Sequence, residues 1–377
     1  MTQTTELQLD GLPARLPERV VAEAQTLTGA AAALYVVDIE GTALRLMAGG
    51  CGLPAVIPVN RAIGPELGAA AVAELRERLE ADRGGAVAAP LWWRGRATCV
   101  LVASGGERSE LEQLAAAAAP AIELACGYTD VFARARRHRP ATPAAEMQQD
   151  LLPPRMARLS GAEVAGSLMP AYDVGGDWFD HAENSEGAWL GVADAVGRGT
   201  NAAAISAVAI GAFRAARRAR QGLEECCVAI DDAVSALGAG AFVTAVIATW
   251  QPETRIFAWI NCGHPLPILI RPRGEVDELA GEGTLPLGLT LGQAPGFRRN
   301  EQRLAVGDRV LLYSDGVTDQ HRSDGGLLGL ESLLELLRSW GNRSAAETVI
   351  AVEGHLRTHG PAKLGDDATM LVLAATG

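Results

Sequence analysis

The sequence is poor in aromatic residues, has no long apolar run and carries more acidic than basic residues. Phe, Trp and Tyr make up 5% of the 377 residues, so we expect cores built mainly of Ala, Val and Leu. No uncharged apolar run reaches about 18 residues, which argues against a membrane span. The net charge of −12 argues against a general nucleic-acid-binding protein, because phosphate backbones attract basic surfaces.

Signals for export, zinc and haem are also missing. The N-terminal MTQTTELQLDGLP lacks the basic start and apolar core of a signal peptide. The six cysteines form no CxxC pair and have no histidine at zinc-ligand spacing. No histidine precedes His138, which disfavours a haem with a proximal His in the first half. We therefore expect a reduced, cytoplasmic protein, and we interpret the arginine-rich stretches 133–139 and 214–220 as solvated helix faces.

The length and globular composition predict two domains, with three as the alternative. Residues 15–128 contain the helical PERVVAEAQTLTG, the strand-like ALYVVDIEG and ALRLMAGG, the helical GAAAVAELRERLEA, and the strand-like AVAAPLWW and ATCVLVAS. Ser109 and Glu112 predict a capping box at the start of a long helix. This order resembles the GAF family of small sensory domains. The resemblance implies an α/β domain with a central antiparallel sheet, helices on one face and a small-molecule ligand.

Residues 129–160 form a proline-rich linker. Four prolines separate the long helix from a short helical stretch, PAAEMQQDLL, which ends at Pro153. From 161 to 377, strand-like runs alternate with glycine-rich turns, and two helical blocks occur near 202–220 and 330–339. This pattern predicts an α+β domain with sheets covered by segregated helices.

Four stretches of this second region place aspartate at the end of an apolar strand. They are AYDVGGDWFD with Asp177 and Asp180, WLGVADAVGRG with Asp194, RVLLYSDGVTD with Asp315, and GDDATMLVLAA with Asp366 and Asp367. Any one of them is an ordinary turn sequence. Four in one domain predict carboxylates gathered at one edge of a sheet, where hard cations such as Mg²⁺ or Mn²⁺ compensate their charge.

The GGD in the first stretch suggests two enzyme classes. It is similar to the GGDEF signature of enzymes that make cyclic dinucleotides from GTP, but Trp178 stands where that signature has glutamate. The full series resembles the bacterial PP2C-type (PPM) serine/threonine phosphatases of the stress-response and sporulation regulator group. The matching blocks are Gly175–Asp180, Asp194–Gly199 with Ala202 and Ala203, Phe242–Ala245, Asn261–Pro265, Pro286–Leu289, GDRVLLYSDGVTD and GDDAT, preceded by QQDLLPP.

This resemblance implies a β-sandwich of two antiparallel sheets flanked by helical layers. It implies two Mn²⁺ or Mg²⁺ ions, with a third left open. Asp194 would bridge both ions, the carbonyl of Ala195 would bind the second, and Asp315 and Asp366 would complete the first. Asp177 and Asp180 would act near the metals, partly through water, and Asp367 is the alternative to Asp366.

The implied reaction is hydrolysis of phosphoserine or phosphothreonine by direct attack of water on phosphorus. The implied substrate is a phosphorylated anti-sigma factor antagonist, and His264 is interpreted as a structural residue. We also expect a homodimer in which the linker helix adjusts the VADAVGRG loop. One alternative stays open at this point: a signal-binding scaffold with a degenerate phosphatase domain. We expect no cyclase activity, because a cyclase does not explain the later aspartates.

Overall fold

The structure is a computed structural model that describes residues 12–50, 52–82, 84–170, 172, 175–289, 296–321, 326–359 and 366–377. Most of the N-terminal segment used to assess export, and residues 51, 171, 173 and 174, lie outside this description. Within it, no helix is long and apolar enough to cross a membrane. The chain divides into two compact units, Met1–Pro140 and Ala141–Gly377.

The first unit is a seven-stranded antiparallel sheet with helices. The sheet order is β3-β2-β1-β7-β5-β4, with β6 also paired to β7. Its strands are β1 (Ala32–Val37), β2 (Ala43–Gly49), β3 (Val56–Pro58), β4 (Ala62–Ile63), β5 (Glu66–Leu67), β6 (Val87–Trp93) and β7 (Arg96–Ala103). Its helices are α1 (Leu16–Thr28), α2 (Ala69–Asp82), α3 (Arg108–Ala125) and α4 (Val131–Ala135).

Helices cover both faces of this sheet, whereas the sequence predicted one covered face. All six residues of β1 are buried, and successive side chains point to opposite faces of a strand. Leu34 and Val36 pack in the cluster that includes α1 and α3, and Tyr35 packs in the cluster that includes α2. The predicted capping box is also wrong. Glu107 is the N-cap of α3 without a side-chain cap bond, and the Glu112 carboxylate instead pairs with Arg76 at 2.6 Å.

The second unit contains two six-stranded sheets, ordered β10-β11-β12-β13-β16 with β17 on β13, and β15-β14-β18-β19-β9-β8. The strands are β8 (Met156–Leu159), β9 (Ala162–Met169), β10 (Asp177–Asn184), β11 (Gly187–Ala195), β12 (Val243–Gln251), β13 (Ile256–Cys262), β14 (Ile268–Ile270), β15 (Val276–Glu278), β16 (Gly283–Thr284), β17 (Asn300–Arg303), β18 (Arg309–Tyr313) and β19 (Ala368–Ala375). Apart from the short parallel β13–β16 pair, the pairing is antiparallel.

Side chains from both sheets share one core. Phe179, Trp250 and Leu371 belong to the same buried cluster, which identifies a sandwich. Helices α6 and α7 cover the outer face of the sheet that contains β10, where Phe213 and Ile230 pack with Trp178. The helices are α5 (Pro143–Leu151), α6 (Gly199–Arg218), α7 (Leu223–Ser235), α8 (Asp315–Thr318), α9 (Gly329–Ser339) and α10 (Ala345–His359). The predicted helical blocks match α6 and α9, but the sequence pattern did not predict α7 or α10.

Candidate active site

Asp177 and Asp194 lie directly opposite each other on neighbouring strands. Asp177 begins β10, Asp194 is the penultimate residue of β11, and the two are register partners. Asp177 is 2% exposed. The hydroxyl of Ser314 donates a hydrogen bond of 2.6 Å to Asp177 Oδ2. Burial, then the charges of Asp194 and Asp367, raise the pKa of Asp177 well above its usual value.

Two glycines allow the strand ends to approach one another. A Cβ on Gly176 would lie 2.4 Å from the carbonyl oxygen of Ala195. A Cβ on Gly316 would lie 1.8 Å from the carbonyl oxygen of Asp367. Real side chains cannot occupy such distances without moving the backbone. The glycines in GGD and SDG therefore bring the carboxylate-bearing segments close together.

The other three carboxylates lie at strand ends of the other sheet of this unit, the one that contains β18 and β19. Asp315 follows β18 as the first residue of α8, and Asp366 and Asp367 immediately precede β19. The buried Asp367 carboxylate accepts hydrogen bonds from the backbone N–H of Gly175 at 2.8 and 2.9 Å. It also accepts one from Gln148 Nε2 at 3.0 Å. β18 and β19 are paired neighbours, so their ends bring these side chains to the same edge.

The carboxylates perturb one another. Burial is the main cause that raises the pKa of Asp194 to about 6, and the charges of Asp315, Asp366 and Asp367 add to it. Burial also raises the pKa of Asp367 to about 6 and, with the charges of Asp319 and Asp366, raises that of Asp315. A set of oxygen donors with this much negative charge fits hard divalent cations.

The cluster is open rather than tightly closed. Among the described residues, no three His, Cys, Asp or Glu side chains stand close enough together to hold an ion as they are. The charge of Asp315 nevertheless raises the pKa of Asp194, so the two carboxylates influence each other.

Asp180, which the sequence placed near the metals, lies apart from this group in the structure. It lies three residues along β10 from Asp177, so its side chain points to the other face of the sheet. Both of its oxygens are engaged, by Arg214 Nε at 3.0 Å and Nη2 at 3.1 Å and by Arg217 Nη1 at 3.1 Å. Arg217 is itself buried. The stretch 214–220 is thus not simply a solvated face, and Asp180 is a structural ion-pair partner.

Three polar residues at the site were not assigned a role from the sequence. Ser314 bonds to Asp177, and Gln148 on α5 donates to the carbonyl of Asp177 at 2.8 Å as well as to Asp367. Arg198 Nη2 lies 3.3 Å from Asp366 Oδ2. Each belongs to a quoted motif, but no local pattern reveals contacts between residues that lie so far apart in sequence.

His264 is held inside a turn by its neighbours. The Asn261 side chain accepts from the His264 N–H at 2.9 Å and donates to the His264 carbonyl at 2.8 Å. The ring Nδ1 is 2.8 Å from Thr244 Oγ1. Burial lowers the pKa of His264 to about 3. The ring is therefore neutral near pH 7, which fits a structural role better than that of a general acid.

Comparison with known proteins identifies the family. The family described as Stage II sporulation protein E (SpoIIE) matches residues 184–376, just over half of the chain. The chain belongs to the SpoIIE family. The phosphoserine phosphatase RsbU of Bacillus subtilis is 25% identical to this SpoIIE-family protein over 239 residues, which cover 61% of this chain and 68% of RsbU.

Solved structures agree with this fold. The SiaA-PP2C domain of Pseudomonas aeruginosa has a TM-score of 0.53 and 24% identity, over 61% of this chain and 94% of that domain. The RsbU and RsbW domains of a Mycobacterium tuberculosis protein have a TM-score of 0.50 and 25% identity, over 58% of this chain and 62% of that one. The predicted PP2C-like α+β fold is confirmed, and the SpoIIE-family protein is a PP2C-type serine/threonine phosphatase rather than a cyclase. Phosphatases of this type depend on Mg²⁺ or Mn²⁺.

Proposed function

We propose that this SpoIIE-family phosphatase dephosphorylates phosphoserine or phosphothreonine on a regulatory protein, an anti-sigma factor antagonist. The observation that carries the proposal is that Asp177 lies opposite Asp194 and that hydrogen bonds join this pair to the strand ends that carry Asp315, Asp366 and Asp367. The similarity to RsbU, a phosphoserine phosphatase, supports the phosphoserine substrate. The resemblance to sigma-factor regulators noted from the sequence supports the antagonist.

The same residues are the proposed cation ligands. Asp194 would contact both cations, the Ala195 carbonyl would contact the second, and Asp315 and Asp366 would complete the first. We choose Asp366 over Asp367 because the Asp367 carboxylate already accepts bonds from Gly175 and Gln148, whereas Asp366 is half exposed. Asp177 lies beside Asp194 and would orient it or bind through water. Bound Mg²⁺ or Mn²⁺ would lower the pKa of water and neutralise charge on the phosphate.

The proposed reaction is a direct, in-line attack of water on phosphorus. The oxygen of water bonds to phosphorus and its proton passes to solvent, while the phosphorus–oxygen bond to serine or threonine breaks and the leaving oxygen takes a proton from solvent. His264 is neutral and buried and does not serve as the acid. No side chain becomes phosphorylated in this scheme. Solvent ¹⁸O should therefore appear in the phosphate released in one turnover. A phospho-enzyme trapped with acid would contradict the scheme.

We also propose that the first unit acts in sensing through a GAF-like domain of residues 15–128. A surface cavity of about 410 Å³ lies beside α1, β2 and α4, and its lining includes Leu46, Met47 and the oppositely charged Glu18 and Arg134. Such a mixed lining suits a small amphipathic ligand. The signal would reach the catalytic residues through α5, since Gln148 on this helix donates to Asp367 and to the Asp177 carbonyl. This route differs from the VADAVGRG loop expected from the sequence.

The proposed homodimer would form through the first unit. Most of the apolar face of α3 is buried within its own unit, including Leu111 and Ile122. That burial removes the sequence argument for a partner along the whole helix. Leu124 and Tyr128, at and just beyond the end of α3, are 66% and 81% exposed, and they are the residues we assign to the dimer contact.

Phosphate release tests the proposed function. The full chain should release phosphate from a phosphorylated antagonist with Mn²⁺ and lose this activity when the cation is chelated. An Asp194→Asn variant is the matched control. Turnover by the wild type on phosphoserine peptides but on no antagonist would reject the proposed substrate. No turnover in Mn²⁺ or Mg²⁺ would reject catalysis and favour the scaffold alternative.

A further inference from the structure

Arg198 is a positively charged side chain that contacts the exposed part of the carboxylate cluster. It lies in the loop between Asp194 and α6, and its guanidinium Nη2 is 3.3 Å from Asp366 Oδ2. The side chains are 70% and 54% exposed. Ion pairs this exposed contribute little to stability, so the contact is a weak, exchangeable one.

The backbone around Arg198 adds further positive character. Arg198 is the N-cap of the 20-residue α6, has an extended conformation and makes no side-chain cap bond. The first turn of α6 contains no acidic residue. The N-terminus of a helix carries unsatisfied N–H groups and a partial positive charge. Arg198 and this helix end thus stand on the side of the cluster where an anion would be stabilised.

We propose that Arg198 exchanges partners during the reaction cycle. It pairs with Asp366 when no cation is bound there, and it turns to the non-bridging oxygens of the substrate phosphate once Asp366 binds a cation. The planar guanidinium matches two phosphate oxygens, and a cation removes the negative charge that held the arginine. Arg198 is then a substrate-binding residue and a competitor of the metal. This inference rests on the proposed function.

The two roles predict opposite effects of one substitution. With Arg198→Ala, the KM for a phosphoserine peptide should rise about tenfold, the loss expected for an exposed charge-assisted bond, while kcat changes little. The Kd for Mn²⁺ without substrate, measured by calorimetry, should fall by up to about threefold, because a competing charge is gone. Arg198→Lys should restore part of the KM, and Arg218→Ala, at the other end of α6, should match the wild type.

Inorganic phosphate provides a readout that does not require turnover. Its Kd for the Mn²⁺-loaded full chain should rise with Arg198→Ala and not with Arg218→Ala. Phosphate binding unaffected by Arg198→Ala would overturn the inference, as would weaker Mn²⁺ binding, which would assign Arg198 to supporting the metal loop. If the wild type hydrolyses no phosphopeptide, the proposed function fails separately. The phosphate titration still decides whether Arg198 binds the anion.

Discussion

Gln148 Nε2 donates a 3.0 Å hydrogen bond to Asp367 Oδ2, which joins helix α5 to the carboxylate cluster. The same nitrogen is 2.8 Å from the carbonyl oxygen of Asp177. Gln148 is 4% exposed, so water does not readily replace these bonds. A displacement of α5 would therefore change the position of two carboxylate-bearing segments at once.

Replacing Gln148 should weaken cation binding. Gln148 holds the backbone of Asp177 and the side chain of Asp367, the neighbour of the proposed ligand Asp366. Residues that hold metal ligands in place typically contribute about 10-fold or more to metal affinity, so we expect Gln148→Ala to raise the Mn²⁺ concentration for half-maximal activity about 10-fold. Saturating Mn²⁺ should restore most of kcat. The control is Met147→Ala, on the exposed side of the same helix. An unchanged Mn²⁺ titration would show that α5 does not support the site.

Removing a proposed ligand should abolish activity without unfolding the protein. Asp194→Asn and Asp315→Asn should each lower phosphate release on the order of 10³-fold or more, as losses of central catalytic groups do. The melting temperature without added metal should stay the same or rise, because each change relieves repulsion among neighbouring carboxylates. Full activity of either variant in saturating Mn²⁺ would refute the ligand assignment.

Asp180 should behave differently from those ligands. Its carboxylate is 2% exposed and pairs with Arg217, which is 8% exposed. Breaking a buried pair leaves an uncompensated charge and costs about 3 kcal/mol or more of unfolding free energy. We expect Asp180→Asn to show this loss in denaturant unfolding, with the Mn²⁺ Kd of the folded protein unchanged. A variant that keeps its unfolding free energy but binds Mn²⁺ weakly would show that Asp180 contributes to cation binding.

The sequence could predict the family fold and the strand-end aspartates because both depend on local patterns. Apolar strands that end in Gly-Gly-Asp or Asp-Gly are visible in the chain, and the glycine requirement at Gly176 follows from close backbone approach. The sequence could not reveal that Asp180 faces the arginines of α6, because strand start and register decide which face a residue takes. Nor could it show the contact between Gln148 and Asp367, which depends on how α5 packs.

Protonation of His264 should destabilise the protein at low pH. Its pKa is about 3 in the folded state and about 6.5 in an unfolded chain. Between these values the unfolded state binds the extra proton, so the His264 contribution to stability is complete above about pH 6.5 and is lost as the pH falls towards 3. Relative to His264→Gln, the wild type should lose unfolding free energy from pH 7 to pH 4. Parallel pH curves for the two proteins would contradict the assignment.

The two compact units allow dimerisation and catalysis to be tested separately. A protein of residues 141–377 retains α5 and Gln148, whereas one of residues 155–377 lacks both. If the first unit carries the dimer contact, 141–377 should be monomeric by light scattering and the full chain dimeric. Tyr128→Glu in the full chain should give monomers, because a charge at this exposed aromatic would disfavour an apolar contact. Equal mass states for the full chain and 141–377 would reject the dimer.

The same two truncated proteins test the role of α5. If Gln148 supports the site, 155–377 should need a higher Mn²⁺ concentration for activity than 141–377. Equal Mn²⁺ requirements would show that α5 only connects the two units.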